Sequence, residues 1–258
     1  MLRHRGFMTN TLLARMCEAS VTVWTWFQGM SGARHDTVEF MLVLLVALVL
    51  LVPQAIAQPA APGAVAGLVR VVSPDGRFAP PGPVIVFVED LQQPFPPPAP
   101  LEIRQRDKQF QPQLLLVPQG STVAFPNDDA VDHNVFSLSP VTPFDLGYFE
   151  SGVSRQVKFD RPGAVRVYCN IHSSMIADVL VLPNPFYARV SADGTYRVDG
   201  VPAGLRRLRA WFPHGPSQGK SVTVSAGAAA TADFRLQSTV VTAHENKHGE
   251  PYFLDYPK

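Results

Sequence analysis

The sequence predicts an all-β protein. Short runs that alternate apolar and polar residues recur from residue 65 to residue 236, and no stretch of the middle segment keeps a helical period. The chain contains 25 Pro and 18 Gly, which favour turns between short strands over long helices. At least six such runs lie in residues 101–183, which predicts a two-sheet β-sandwich there.

The predicted strands of this middle segment are separated by turn residues. A proline-containing loop is expected between the strand that begins at His133 and the strand at 154–159. The other expected strands are 101–107, 113–118, 121–125, 164–169 and 176–182.

The N-terminal residues 1–57 are predicted to be a leader. An apolar run, Met41–Val52, is followed by an Ala-x-Ala sequence at 55–57, the pattern of a signal peptide with cleavage before Gln58. A membrane anchor is the alternative, but the run is shorter than the roughly 20 residues that span a bilayer. We therefore expect export to the periplasm, with no stable membrane insertion after cleavage.

Two proline-containing connectors, at 93–100 and 184–185, divide the remaining chain. Residues 100–183 are expected to form one domain. Residues 185–238 carry only about four strands, so the segment 63–92 is expected to complete them as a second, smaller sandwich into which the first is inserted. Two or three domains in series are the alternative.

The residues after the second sandwich, 239–258, are polar and turn-rich and are expected to form a loose tail. His244 and His248 lie four residues apart there and would hold a metal only if this tail were helical.

A Cys-x2-His-x2-Met sequence, Cys169, His172 and Met175, begins at the last residue of the expected strand 164–169. Thiolate, thioether and imidazole ligands together suit copper, and two His, one Cys and a weak axial Met form an electron-transfer copper site. His133 is the candidate for the second histidine. A lone Cys in a strand is ordinarily a small hydrophobic residue, but the neighbouring His and Met favour a ligand.

Cysteine usage supports this interpretation. Cys17 lies in the leader, so Cys169 would be the only thiol of the mature protein. A free thiol is prone to oxidation in an oxidising compartment unless a metal occupies it.

Residues 101–183 resemble the cupredoxins, which implies a Greek-key β-sandwich, and the ligand spacing is that of amicyanin. The matching sequences are GSTVAFPNDD (120–129), HNV (133–135), PGAVRVYC (162–169) and the ligand loop, residues 169–175. The resemblance implies one type 1 copper ion, with His133, Cys169 and His172 as equatorial ligands and Met175 as the axial ligand. It also implies that Asn134 ties the ligand loops together by hydrogen bonds near the thiolate.

The flanking segments resemble the carboxypeptidase regulatory-like, or transthyretin-like, sandwiches. The matching sequences are GLVRVVSPDGRFAPPGPVIVFVED and SADGTYRVDGVPAGLRRLRAWFP, followed by SAGAAATADFRL. The combined layout is similar to bacterial proteins described as methylamine-utilisation-like. That resemblance implies a periplasmic redox partner, such as a c-type cytochrome or a dehydrogenase.

The sequence thus favours an exported carrier of single electrons. Copper storage or delivery and a metal-independent adhesion or glycan-binding role are the alternatives. The formal net charge of +1 gives no sign of the basic surface that binds nucleic acid, so a nucleic-acid partner is not expected. An enzyme is not expected, because copper oxidases and nitrite reductases need a second copper site, commonly built from His residues beside the Cys, whereas Tyr168 and Asn170 flank Cys169.

Overall fold

The structure, a computed structural model, shows an all-β chain, which confirms the predicted fold class. No helix is present in the part of the chain that it describes, and so none there is long and apolar enough to cross a bilayer. The predicted leader and its cleavage site lie outside the described residues. These are 61–79, 82–97, 100–239, 246–250 and 252.

The described chain contains 18 strands. The flanking strands are β1 (Gly63–Val72), β2 (Phe78–Ala79), β3 (Ile85–Val88), β13 (Tyr187–Arg189), β14 (Thr195–Val201), β15 (Gly204–Trp211), β16 (Gln218–Val224), β17 (Ala229–Thr231) and β18 (Phe234–Gln237). The middle strands are β4 (Arg104–Arg106), β5 (Gln109–Gln111), β6 (Leu114–Pro118), β7 (Ser121–Pro126), β8 (His133–Ser137), β9 (Phe144–Phe149), β10 (Ser154–Phe159), β11 (Gly163–Tyr168) and β12 (Ile176–Leu182).

The middle strands enclose one hydrophobic core. A five-stranded sheet has the order β6-β12-β11-β8-β9, and the pairs β7-β10 and β4-β5 form two smaller sheets. Because side chains alternate across a strand, regular strands such as β11 and β12 contribute every second residue to the core. Buried side chains from both sides of this core include Val123, Phe125, Val135, Phe159, Val165, Val167 and Val179.

Two details of the middle strands differ from the prediction. The segment predicted as a loop after β8 contains β9, which pairs antiparallel with β8. Its residues show no regular alternation of burial, so the neighbouring strand rather than a local pattern places it. The run predicted as one strand at 101–107 contributes only β4, because Asp107 and Lys108 turn the chain back into β5 with φ of 54° at both residues.

The flanking strands from both ends of the described chain share their sheets. Strand β1 pairs antiparallel with β14 and parallel with β17 and β18, and the second sheet has the order β13-β3-β15-β16. Their common core includes Val65, Val86, Tyr196, Val198, Leu208 and Phe234.

The two ends of the middle segment lie side by side. The Gln93 backbone N–H donates to the Pro183 carbonyl at 3.0 Å, and the Asn184 side-chain amide donates to the Val88 carbonyl at 2.8 Å. Strand β12 is buried on both faces, which explains its continuous apolar sequence. One face joins the middle core, and the other packs with flanking residues in a cluster of Ile85, Phe87, Leu180, Leu182 and Trp211.

Candidate metal centre

The alternation of β11 directs Cys169 into the middle core. Val165 and Val167 are buried, and Cys169 is the next residue of the same alternation, with no exposed surface. The following loop is closed by two backbone bonds. The Cys169 N–H donates to the Met175 carbonyl at 3.2 Å, and the Met175 N–H donates to the His172 carbonyl at 3.1 Å.

The second histidine arrives from the neighbouring strand. His133 begins β8, which pairs antiparallel with β11 so that Phe136 lies opposite Tyr168. Val135 and His133 share one face of β8, the face that is turned toward the core and toward Cys169. The predicted candidate therefore lies beside the thiol because of sheet register, although 36 residues separate the two in sequence.

Three donor atoms converge at this end of the core. The Cys169 Sγ lies 3.9 Å from His133 Nδ1 and 3.9 Å from His172 Nδ1. All three atoms lie within 4.8 Å of one another. Metal distances of about 2.0 Å to nitrogen and about 2.3 Å to sulfur would separate N from S by about 3.7 Å in a trigonal plane. The three side chains thus fit a single ion in their observed positions.

Met175 and Asn134 are the other two residues that the resemblance assigned to the site. Met175 is completely buried in the same hydrophobic cluster as Cys169, and its role as axial ligand stays a prediction. Asn134 donates from its side-chain amide to Asp145 Oδ1 at 2.8 Å, whereas its backbone N–H bonds to the Cys169 thiol. The main chain rather than the side-chain amide therefore makes the link to sulfur.

The surroundings of Cys169 favour the thiolate. Burial raises the pKa of this thiol, but a hydrogen bond with His133 and backbone N–H groups of Asn134, Ile171 and His172 outweigh it. The pKa of Cys169 consequently lies below its ordinary value. The thiolate is the form that ligates metals, so these hydrogen bonds favour the form of Cys169 that a metal ion would need.

Asp129 was predicted only as part of a loop, but it contacts a candidate ligand. Its Oδ2 atom lies 2.7 Å from His133 Nε2, and the backbone N–H groups of Asp107 and Lys108 donate to its carboxylate at 2.6 and 2.9 Å. Burial raises the pKa of Asp129, yet these donors leave it below the ordinary value. An ionised carboxylate only accepts, so Nε2 carries a proton and donates it to Asp129, and Nδ1 is the ring nitrogen that faces Cys169.

The C-terminal residues expected to form a loose tail also reach the site. Tyr252 donates its hydroxyl hydrogen to the Cys169 carbonyl at 2.6 Å. The possible metal pair of His244 and His248 stays a prediction. His244 lies outside the described residues, and His248 is exposed.

No family model and no curated protein matches the chain. Similar solved structures include a purple cupredoxin from Nitrosopumilus maritimus, with 24% identity over 32% of this chain and 99% of that chain and a TM-score of 0.30. A copper-containing nitrite reductase from Thermus scotoductus has 24% identity over 36% of this chain and 26% of that chain, with a TM-score of 0.32. A reduced amicyanin variant has 19% identity over 38% of this chain and 98% of that chain, with a TM-score of 0.31.

Proposed function

We propose that this protein binds one copper ion in a type 1 site and carries single electrons. The observation that carries the proposal is the convergence of one thiol and two imidazole nitrogens, all within 4.8 Å of one another. A buried thioether, Met175, follows in the same loop. Soft sulfur donors combined with imidazole favour copper over hard cations such as magnesium or calcium.

The chain's own residues would hold the donor atoms in nearly constant positions. His133 and Cys169 are anchored at the ends of two neighbouring strands and have no exposed surface. Bound copper would supply one-electron chemistry between its cupric and cuprous states. A stiff apolar frame keeps the rearrangement between the two states small, because close-packed interiors resist movement. His172, with 8% exposure, is the candidate ligand nearest to solvent and would be the path for the electron.

We also propose that the carrier works in the periplasm with redox proteins such as a c-type cytochrome or a dehydrogenase. The apolar run Met41–Val52 and the Ala-x-Ala sequence at 55–57 support the location. The kinds of partner are those that the resemblance to methylamine-utilisation-like proteins implies. Expression of the full chain in a Gram-negative host should yield a periplasmic form that begins at Gln58. An uncleaved, membrane-bound chain would contradict this location.

Metal analysis and an optical spectrum of the purified protein test the copper proposal. We expect about one copper per chain and an intense visible band in the oxidised form that disappears reversibly on reduction. His133→Ala and Cys169→Ser should lose the band, whereas His214→Ala, at an exposed histidine of a flanking loop, should keep it.

Two results would overturn the proposal. A band that survives in Cys169→Ser would exclude the thiolate as its source. Rapid loss of copper to a mild chelator, without reversible electron exchange, would indicate copper delivery instead.

A further inference from the structure

The described end of the chain folds into a compact turn beside the metal centre. We call residues 246–250 together with Tyr252 the C-terminal brace. The Asn246 N–H donates to the Glu250 carbonyl at 2.8 Å, and the Gly249 N–H donates to the Asn246 carbonyl at 3.0 Å. The Asn246 side chain accepts from the His248 N–H at 2.8 Å. These bonds give the brace a defined shape of its own.

The brace donates hydrogen bonds to two consecutive residues of the ligand loop. Tyr252 donates its hydroxyl hydrogen to the backbone carbonyl of Cys169 at 2.6 Å. The Lys247 N–H donates to Asn170 Oδ1 at 3.0 Å. Cys169 follows the last residue of β11, and its N–H donates to the Met175 carbonyl within the loop, whereas its carbonyl accepts from Tyr252. The brace therefore supplies hydrogen bonds at the point where the sheet stops.

The brace also contacts the strands that carry the other candidate ligand. The Lys247 ammonium lies 2.7 Å from Asp145 Oδ2, and Asp145 Oδ1 accepts from the Asn134 side chain at 2.8 Å. Asn134 is the chain neighbour of His133 in β8. Lys247 thus links the loop of Cys169 to the pair of strands β8 and β9 through one carboxylate.

A contact between Lys247 and the Tyr148 ring links the brace, β9 and the ligand loop a second time. The Lys247 ammonium lies 5.6 Å from the centre of the Tyr148 ring, and the Tyr148 hydroxyl accepts from the Asn170 side-chain amide at 3.1 Å. Lys247 contacts a strand and the ligand loop at once. Such a bridge restrains their separation more than two independent surface contacts would.

We propose that the C-terminal brace positions the Cys169 thiol relative to His133, with Tyr252 and Lys247 as positioning residues. The effect on a bound metal rests on the proposed copper function, whereas the effect on the thiol does not. Release of the brace lets the loop open locally, because local opening is governed by the few bonds that tie a segment to the core.

Reactivity of the thiol in the metal-free protein tests the brace directly. The full chain carries Cys17→Ser so that an aromatic disulfide reagent reports only on Cys169. Tyr252→Phe removes one hydroxyl donor, and we expect the labelling rate to rise about fivefold, the factor that a net hydrogen bond of about 1 kcal/mol implies. A stop after Glu245 removes the whole brace and should raise the rate further.

Tyr196→Phe is the matched control. The Tyr196 hydroxyl also donates to a backbone carbonyl, that of Ala232 at 2.5 Å, but it lies among the flanking strands. Its labelling rate should equal that of the parent chain. Equal rates for Tyr252→Phe and Tyr196→Phe, or an unchanged rate after the truncation, would overturn the proposal.

The copper-loaded protein gives a second measurement. A residue that positions the thiolate should shift the visible band and the reduction potential in Tyr252→Phe and leave both unchanged in Tyr196→Phe. If the parent chain binds no copper but Tyr252→Phe still labels faster, the proposed function is wrong and the positioning role of the brace is supported. If the parent binds copper but Tyr252→Phe and Tyr196→Phe label at equal rates, the positioning role is wrong and the proposed function is supported.

Discussion

Asp129 and His133, four residues apart, form a carboxylate–imidazole contact of 2.7 Å between Oδ2 and Nε2. The carboxylate is held in turn by two backbone N–H groups of the β4–β5 turn. This chain of bonds orients the imidazole ring and leaves Nδ1 facing the Cys169 sulfur, 3.9 Å away. The tight turn is thereby connected to the candidate metal centre.

Loss of the Asp129 carboxylate should weaken copper binding. In Asp129→Ala the Nε2 proton has no carboxylate partner and the ring is free to adopt the other tautomer. We expect copper affinity to fall roughly 10- to 100-fold, as is typical when the hydrogen-bond partner of a ligating histidine is removed. Competition with a chelator of known affinity measures the change.

Asp128→Ala is the control for this substitution. Asp128 pairs with Arg104 and Arg106 at 2.8 and 3.2 Å, and its contacts do not include His133. Its copper affinity should stay within about twofold of the parent value, since exposed ion pairs contribute little. Equal affinities for the two alanine variants would show that Asp129 does not orient the ligand.

Gly67→Ala should destabilise the flanking strands. A Cβ at Gly67 would lie 2.7 Å from the carbonyl carbon of Ala232, a backbone atom that has no room to move between β17 and β18. We expect the free energy of unfolding to fall by about 1 to 3 kcal/mol, the usual cost of overpacking. Urea denaturation measures the change.

Gly219→Ala provides the comparison. A Cβ at Gly219, in β16, would find its nearest neighbour, the Leu208 carbonyl oxygen, at 3.8 Å, an ordinary contact. This variant should change stability by less than about 0.5 kcal/mol. Equal stabilities for the two variants would be incompatible with the pairing of β1 with β17 and β18.

Glu89 makes the stability of the flanking strands depend on pH. Its carboxylate pairs with Arg207 at 2.5 Å and with Arg209. Burial raises the pKa of Glu89, but the two guanidinium groups outweigh it, so the pKa lies below the ordinary 4.5. A lowered carboxyl pKa stabilises the fold above the ordinary value, and this contribution is lost as the pH falls through the folded-state pKa.

Glu89→Gln should therefore be less stable than the parent at pH 7, by about 1 kcal/mol. The difference should shrink once the pH falls below the ordinary glutamate value and should vanish further down. Thermal unfolding at several pH values measures it. Asp199→Asn, at an exposed ion pair with Arg197, should show almost no difference at any pH. A stability difference between Glu89→Gln and the parent that persists in strong acid would contradict a lowered pKa of Glu89.

The sequence predicted the fold class because strand patterns are local. Alternating residues such as Val165, Val167 and Cys169 show which side of a strand faces a core, whatever the partner strand is. Strand β9 escaped prediction for the same reason, since its residues carry no regular alternation and its place depends on β8.

By itself, the sequence determined the all-β class and placed Cys169, His172 and Met175 on one short loop, because both properties depend on residues close together in the chain. The tertiary structure alone decided that His133 lies 3.9 Å from the thiol, that Asp129 orients its ring and that Tyr252 holds the Cys169 carbonyl. The first and last of these contacts join residues 36 and 83 positions apart. Sheet register and packing determine such distances, and a one-residue slip in register would turn His133 away from the core.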